Sequence, residues 1–155
     1  MDAPLVTAFE AAHYRVRLHA RWHTMRVGQR HPRLDRQLRA QGCTTHWHLL
    51  TACNPHAQAR SEADNVRSLR QLNDAVASLG LKRLDSLSSD AAGGWREPGF
   101  LLLDGPHAAL VRLGLRFGQR ALLQGLLDGV ADLCWLSTPA ATAPQVAGSP
   151  RRGHG

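Results

Sequence analysis

The sequence is poor in the features that mark membrane and exported proteins. Its apolar runs are no longer than four residues, as in FLLL at 100–103, whereas a membrane-spanning helix needs ~20 apolar residues. The first stretch, MDAPLVTAFEAAHYRVRL, contains neither a basic leader nor a long apolar block, so no secretory signal is expected. We therefore expect a cytoplasmic protein with no membrane partner.

Cysteine is also scarce. Cys43, Cys53 and Cys134 are an odd number and include no CxxC pair. In a reducing compartment such thiols behave as small apolar side chains, so no disulfide is expected.

Sequence motifs of common catalytic and cofactor sites are missing. G-x-x-x-x-G-K-[ST], G-x-G-x-x-G and G-x-S-x-G do not occur, which argues against P-loop, Rossmann and hydrolase-elbow chemistry. His46 and His48 share a strand face and could touch one metal ion, but no third ligand follows at a standard spacing. The nine histidines of the chain make such a pair easy by chance. No metal and no cofactor is expected.

Positive charge is concentrated at the N-terminal end. Residues 1–42 contain eight arginines and three acidic residues, hence 8 − 3 = +5 of the formal net charge of +7. Residues 43–137 are balanced, and Arg151 and Arg152 supply the remainder. This asymmetry suggests an anionic small molecule, nucleic acid or an acidic protein surface as partner. The alternative is a solvated face that reflects the composition of the genome, since Lys82 is the only lysine.

Hydrophobic periodicity and turn residues predict the order of the secondary structure. Strands are predicted at 13–19, 23–28, 46–52, 81–87, 100–104, 120–124 and 131–136, helices at 31–42, 61–79 and 107–117, and a loop at 88–99. Ser61 is expected to cap the second of these helices and Gly80 to end it. Residues 138–155 have too little apolar content to order themselves and are predicted to form a disordered tail.

From residue 46 onward the order is strand, helix, strand, strand, helix, strand. This is the split βαβ pattern, in which two helices cover one face of a mainly antiparallel sheet. The fold class predicted is therefore α+β, as a ferredoxin-like sandwich extended by an N-terminal hairpin and a short helix. One domain is expected over residues 1–137, with a basic extension at 1–42 packed on a core at 43–137.

Four short motifs occur in a defined order. They are LLTACNP (49–55), SEADN (61–65), WREPG (95–99) and RFGQRA (116–121). Together with YRVRL and RVGQRHPRLD they resemble an uncharacterised bacterial family, one of the domains of unknown function, over roughly residues 9–136. In that family a serine usually follows Glu-Pro and another lies soon after Asn-Pro, where this chain has Gly99 and Ala57. The resemblance implies a compact cytoplasmic domain but no particular activity.

The motifs predict a candidate site, because ligands often bind where strands end and helices begin. We expect Asn54, Asn65, Glu97 and Gln119 to converge with Trp95 on one polar pocket. The alternative is local: Asn54 forms an Asx-turn, Asn65 helps to cap a helix and Gln119 binds free carbonyls at a helix end. Glu97, flanked by an aromatic residue and a proline, is the candidate acid or base, and an exposed loop glutamate is the alternative.

Three functions follow from these observations. The leading hypothesis is a small binding domain for an anionic ligand or nucleic acid, which uses the pocket and a basic face that includes Arg15 and Arg17. The second is a small enzyme with Glu97 as acid or base. The third is a protein-interaction subunit without a ligand.

Overall fold

The computed structural model of the protein describes residues 2–136, and the tail expected at 138–155 lies outside the described residues. The helices are α1 (Ala3–Ala11), α2 (Pro32–Ala40), α3 (Glu62–Ser78) and α4 (His107–Arg116), with a 3-10 turn at Pro55–Ala57. The strands are β1 (His13–Leu18), β2 (Arg21–Met25), β3 (His46–Thr51), β4 (Arg83–Ser89), β5 (Arg96–Leu103), β6 (Ala121–Leu126) and β7 (Asp132–Trp135).

All seven strands form one antiparallel sheet in the order β2-β1-β4-β5-β3-β6-β7. The sheet curls so far that its two ends meet at one corner. There the segment after β2 binds the segment before β7: Gly28 N donates to Ala131 O at 2.8 Å, and Arg30 bridges Val130. The result is a half-barrel.

The two faces of the sheet have separate cores. On the outer face, α3 and α4 pack on β3, β5 and β6, where Leu72, Val76 and Leu110 are fully buried. On the inner face, toward which the sheet curls, α2 inserts Leu34 and Leu38 among side chains from the strands. Burying apolar surface on both sides stabilises the sheet, because each buried leucine contributes about 1.5–3 kcal/mol.

The α+β class is confirmed, and the sheet is larger than the predicted sandwich. The hairpin β1–β2 continues the sheet beside β4, and the inner face is covered by α2 in addition to the two helices outside. The N-cap predicted for α3 is confirmed, because Ser61 Oγ accepts a hydrogen bond from Asp64 N at 3.1 Å.

The loop predicted at 88–99 is wrong at both ends. Strand β4 runs on to Ser89 and β5 already begins at Arg96, so that Glu97 pairs with Ser88. Pro98 misled the prediction because proline is rare in central strands. Pro98 lies beyond the end of β3, because the last residue of β5 that pairs with β3 is Gly99. At Pro98 the side of β5 that faces β3 is therefore an edge.

The first helix was not predicted. It has Pro4 in its first turn, which suits a helix start. None of its residues is buried, although Leu5, Ala8 and Phe9 have the i, i+3, i+4 spacing of an apolar helix face.

Candidate functional site

A cavity of about 330 Å³ lies at one end of the inner face, beneath α1. It is bounded by the ends of β1, β3, β4, β5, β6 and β7, whereas α2 occupies the opposite end of the half-barrel. Apolar side chains make up most of its wall: Leu5, Ala8, Phe9, Ala12, Leu49, Ala57, Ala121, Leu122, Leu123 and Leu133. We call it the α1 cavity.

Most of the residues predicted for the site meet there. Asn54, Trp95, Glu97 and Gln119 all line the α1 cavity, although they come from three separate segments of the chain. Asn65 lies behind them and contacts Asn54. A polar patch on an otherwise apolar wall is the usual composition of a small-molecule site.

Arg15 and Arg17 lie elsewhere. They alternate along β1 with Tyr14 and Val16, which face the inner core. Since successive side chains of a strand point to opposite faces, both arginines project from the outer face. The basic residues and the polar pocket, expected to form one site, are therefore on opposite sides of the sheet.

Asn54 and Asn65 bind each other through both backbone and side chain. Asn54 N donates to Asn65 Oδ1 and Asn65 Nδ2 donates to Asn54 Oδ1, each at 2.9 Å, and Arg60 N donates to the same Oδ1 at 3.0 Å. Asn54 has φ 47° and ψ 59°, a left-handed conformation that asparagine tolerates better than most residues. The pair fixes the chain between β3 and α3, and Asn54 also lines the α1 cavity.

Gln119 ties the end of α4 to the same turn. Its Nε2 donates to Cys53 O at 2.9 Å and to Phe117 O at 3.2 Å, and His56 N donates to Gly118 O at 2.7 Å. Gly118 has φ +66°, and a Cβ there would lie 2.7 Å from Pro55 Cβ. A side chain at this position would push the two segments apart.

Glu97 is the partly buried acidic group of the cavity wall, whereas Asp90, which also lines the cavity, is exposed. Glu97 lies on β5 and accepts a hydrogen bond from Trp95 Nε1 at 2.7 Å. Burial raises the pKa of Glu97, and hydrogen bonds from Trp95 and Asn54 oppose that rise only in part. Its carboxyl group therefore exchanges a proton closer to neutral pH than an exposed glutamate does.

Tyr14 and Ser88 extend this group across the sheet, and the motifs did not reveal them. Tyr14 pairs with Ser88 on β4, which pairs with Glu97 on β5, so the three side chains form a row on the inner face. Tyr14 Oη donates to Phe9 O at 2.7 Å. Burial and the charge of Glu97 together raise the pKa of Tyr14. The alternation of YRVRL does place Tyr14 inward, which was the available signal.

Helix α1 is the cover of the cavity. Leu5, Ala8 and Phe9 line the cavity from above. The Phe9 ring meets Trp135 edge-on, with ring centroids 5.2 Å apart. These contacts, with the hydrogen bond from Tyr14, hold the helix in place.

The histidine pair lies on the outer face, away from the cavity, and is joined by His107 at the start of α4. His48 Nε2 is 3.0 Å from His107 Nδ1, and the His46 and His48 rings stand 5.4 Å apart. Burial lowers the pKa of His48 to about 4. Across residues 2–136 no three histidine, cysteine or acidic side chains are grouped so as to hold a metal ion.

The two positions at which the sequence differs from the pattern it resembles, Ala57 and Gly99, lie at the site or beside it. Ala57 lines the α1 cavity. Gly99 pairs with Thr51 at the end of β3, and a Cβ there would collide with the carbonyl of Leu50.

Comparison with known proteins gives one match, to a family model. No curated protein and no solved structure shows significant similarity to the chain. No helix within residues 2–136 has the length and apolar character to cross a membrane. A family model described as "Protein of unknown function (DUF3293)" matches residues 50–122, a range that holds Asn54, Asn65, Trp95, Glu97 and Gln119. This match covers slightly less than half of the chain and supports its resemblance to an uncharacterised family.

Proposed function

We propose that the protein binds a small, mainly apolar molecule in the α1 cavity and holds one polar group of that molecule against Glu97. The observation that carries the proposal is the position of Glu97. Its carboxyl group, held by the Trp95 indole, lines a cavity whose wall is otherwise mostly apolar. Sites of this kind obtain affinity from the apolar wall and orientation from a few polar groups.

The charges of the wall favour a hydrogen-bond donor or a cation over an anion. Glu97 and Asp90 line the cavity, and Arg120 is its one basic residue among those described. An anionic group next to Glu97 would face a carboxylate, which is unfavourable at short distance. We therefore separate the pocket ligand from the anionic partner that the N-terminal arginines suggest.

The size of the cavity limits the ligand. A volume of about 330 Å³ is at the lower end of the ~300–1,000 Å³ typical of small-molecule sites. A compact metabolite fits such a volume, whereas a peptide or a nucleic-acid strand does not.

The test uses three probes of one shape, benzylamine, benzyl alcohol and benzoate, with calorimetric titration as readout. We expect benzylamine to bind best and Glu97→Gln to weaken it at least about tenfold, as loss of a charge-assisted hydrogen bond does. Glu62→Gln is the matched control, because Glu62 is exposed at the start of α3. Ala8→Phe, which fills the cavity from the cover, should also abolish binding. Equal affinities of Glu97→Gln and Glu62→Gln, or a preference for benzoate, would refute the proposal.

A second candidate is an enzyme in which Glu97 is the acid or base. The raised pKa of Glu97 favours it, because efficient proton transfer requires a pKa near the working pH. The test is to incubate wild type and Glu97→Gln with a metabolite mixture and compare the products by mass spectrometry. Conversion by the wild type alone would support catalysis, and identical product profiles would exclude it.

Three further proposals concern the chain as a whole. The inner strand order β4-β5-β3-β6, with α3 and α4 on one face, supports a ferredoxin-like unit within the larger sheet. The shared sheet supports one domain over residues 1–137. Three free cysteines support a cytoplasmic location, since unpaired thiols suit a reducing compartment.

A further inference from the structure

Half of the outer face of the sheet is uncovered. Helices α3 and α4 bury the outward side chains Leu50, Phe100, Leu102 and Leu122 of β3, β5 and β6. Among residues 2–136, the core that these helices form includes no side chain of β1, β2 or β4. Arg17, Trp22, Thr24 and Asp85 are exposed on these three strands. These strands bury Tyr14, Val16, Leu18 and Met25 on their inner side, so their outer side is free to meet solvent or a partner.

The exposed side chains of this region are strongly basic. Four arginines project outward: Arg15 and Arg17 on β1, Arg83 on β4 and Arg96 on β5. Asp85 is the one acidic side chain on this face in the part of the chain that the structure describes. Within residues 2–136 none of the four guanidinium groups forms an ion pair. We call this set, together with Trp22, the arginine face.

Trp22 gives the arginine face a flat aromatic surface. Its side chain is 48% exposed, which is unusual for tryptophan, and it lies directly across from Arg17 on the neighbouring strand. Cross-strand neighbours on one face have Cβ atoms about 5 Å apart. The indole and the guanidinium therefore stand side by side above an open sheet.

We propose that the arginine face binds single-stranded nucleic acid. Unpaired guanidinium groups attract phosphates, and an exposed indole stacks on any base, which are the two elements of sequence-tolerant single-strand binding. A duplex presents its bases only in its grooves, where a helix or a two-stranded ribbon must be inserted to contact them. A broad sheet face presents no such helix or ribbon. This face is separate from the α1 cavity, so the inference does not depend on the pocket ligand.

The experiment measures fluorescence anisotropy of a labelled oligo(dT) about 15 nucleotides long with the full chain. If three phosphates are contacted, affinity should fall about 20-fold between roughly 50 and 200 mM salt. Trp22→Ala should weaken binding at least about fivefold and Trp22→Phe should restore most of it, because stacking survives in phenylalanine. Arg17→Gln should also make the slope of log affinity against log salt concentration shallower by about 0.7, because one phosphate contact is lost.

Arg70→Gln is the matched control, because Arg70 is an exposed arginine on α3 and is not one of the four arginines of the arginine face. It should leave the affinity nearly unchanged. Equal losses in Arg70→Gln and Arg17→Gln, tighter binding of a duplex of the same length, or no binding at low salt would each overturn the proposal. Glu97→Gln should bind the oligonucleotide like the wild type, which keeps this result independent of the α1 cavity.

Discussion

Replacing Asn65 by alanine is expected to destabilise the protein more than an ordinary helix-surface substitution. The side chain of Asn65 forms two hydrogen bonds with Asn54, one from a backbone N–H and one to a side-chain oxygen. Each contributes about 1 kcal/mol net. The buried Asn54 N–H would also lose its partner, which adds about 1–3 kcal/mol. Alanine recovers only about 0.5 kcal/mol through its higher helix propensity.

The expected loss is therefore about 3 kcal/mol in the free energy of unfolding, measured by urea denaturation with an unchanged slope. Asn73→Ala is the control, because Asn73 lies further along α3 and its side chain forms no hydrogen bond within residues 2–136. Asn65→Asp should lie between the two, since it keeps the acceptor for Asn54 N–H and loses the donor. If Asn65→Ala and Asn73→Ala unfold at the same urea concentration, the pair does not fix the turn and the account of the site is wrong.

Three further outcomes are expected. Because burial raises the pKa of Glu97, its ionisation destabilises the fold as pH rises through and above the ordinary range of a glutamate. In urea denaturation, Glu97→Gln should therefore be more stable than the wild type at about pH 8 and not at about pH 4. His48 has a pKa of about 4 in the folded protein, so the unfolded protein binds a proton at this residue more readily. The free energy of unfolding should therefore fall by about 3 kcal/mol as pH falls from 6.5 to about 4, and His48→Phe should lack this dependence. Gly99→Ala should lower the melting temperature, because its Cβ meets Leu50 O and the strands must shift at a cost of about 1–3 kcal/mol. Gly94→Ala should not, because its Cβ makes only an ordinary contact, 3.8 Å from Asp90 Oδ2.

The sequence predicted the part of the fold that depends on local pattern. Alternation in YRVRL and the three-to-four spacing of apolar residues in α3 identified elements whose one face is buried. The boundary of β5 was missed because Pro98 and Gly99 are turn formers, and only the register with β4 and β3 shows why a strand accepts them. Helix α1 was missed although Leu5, Ala8 and Phe9 have the spacing of an apolar helix face, because the helix has only nine residues.

The candidate site was predictable to the extent that it lies in turns. Asn54 and Gln119 were predicted because each follows a strand or a helix, and such positions often meet in space. Glu97 was predicted to precede a strand, whereas it lies on β5 itself. The alternation of YRVRL separates Tyr14 from Arg15, but it does not show that the pocket lies on the side of Tyr14. Tyr14 and Ser88 entered the site only through pairing across strands.

The junction between the two ends of the sheet has a consequence for how the chain folds. Arg30 donates to Asp128 O, a partner 98 residues away along the chain. Contacts at such separation form slowly, because the loop between them must first lose its conformational freedom. During synthesis the half-barrel stays open until residues 128–131 have left the ribosome, and the strands at its margins are exposed to other chains in that interval.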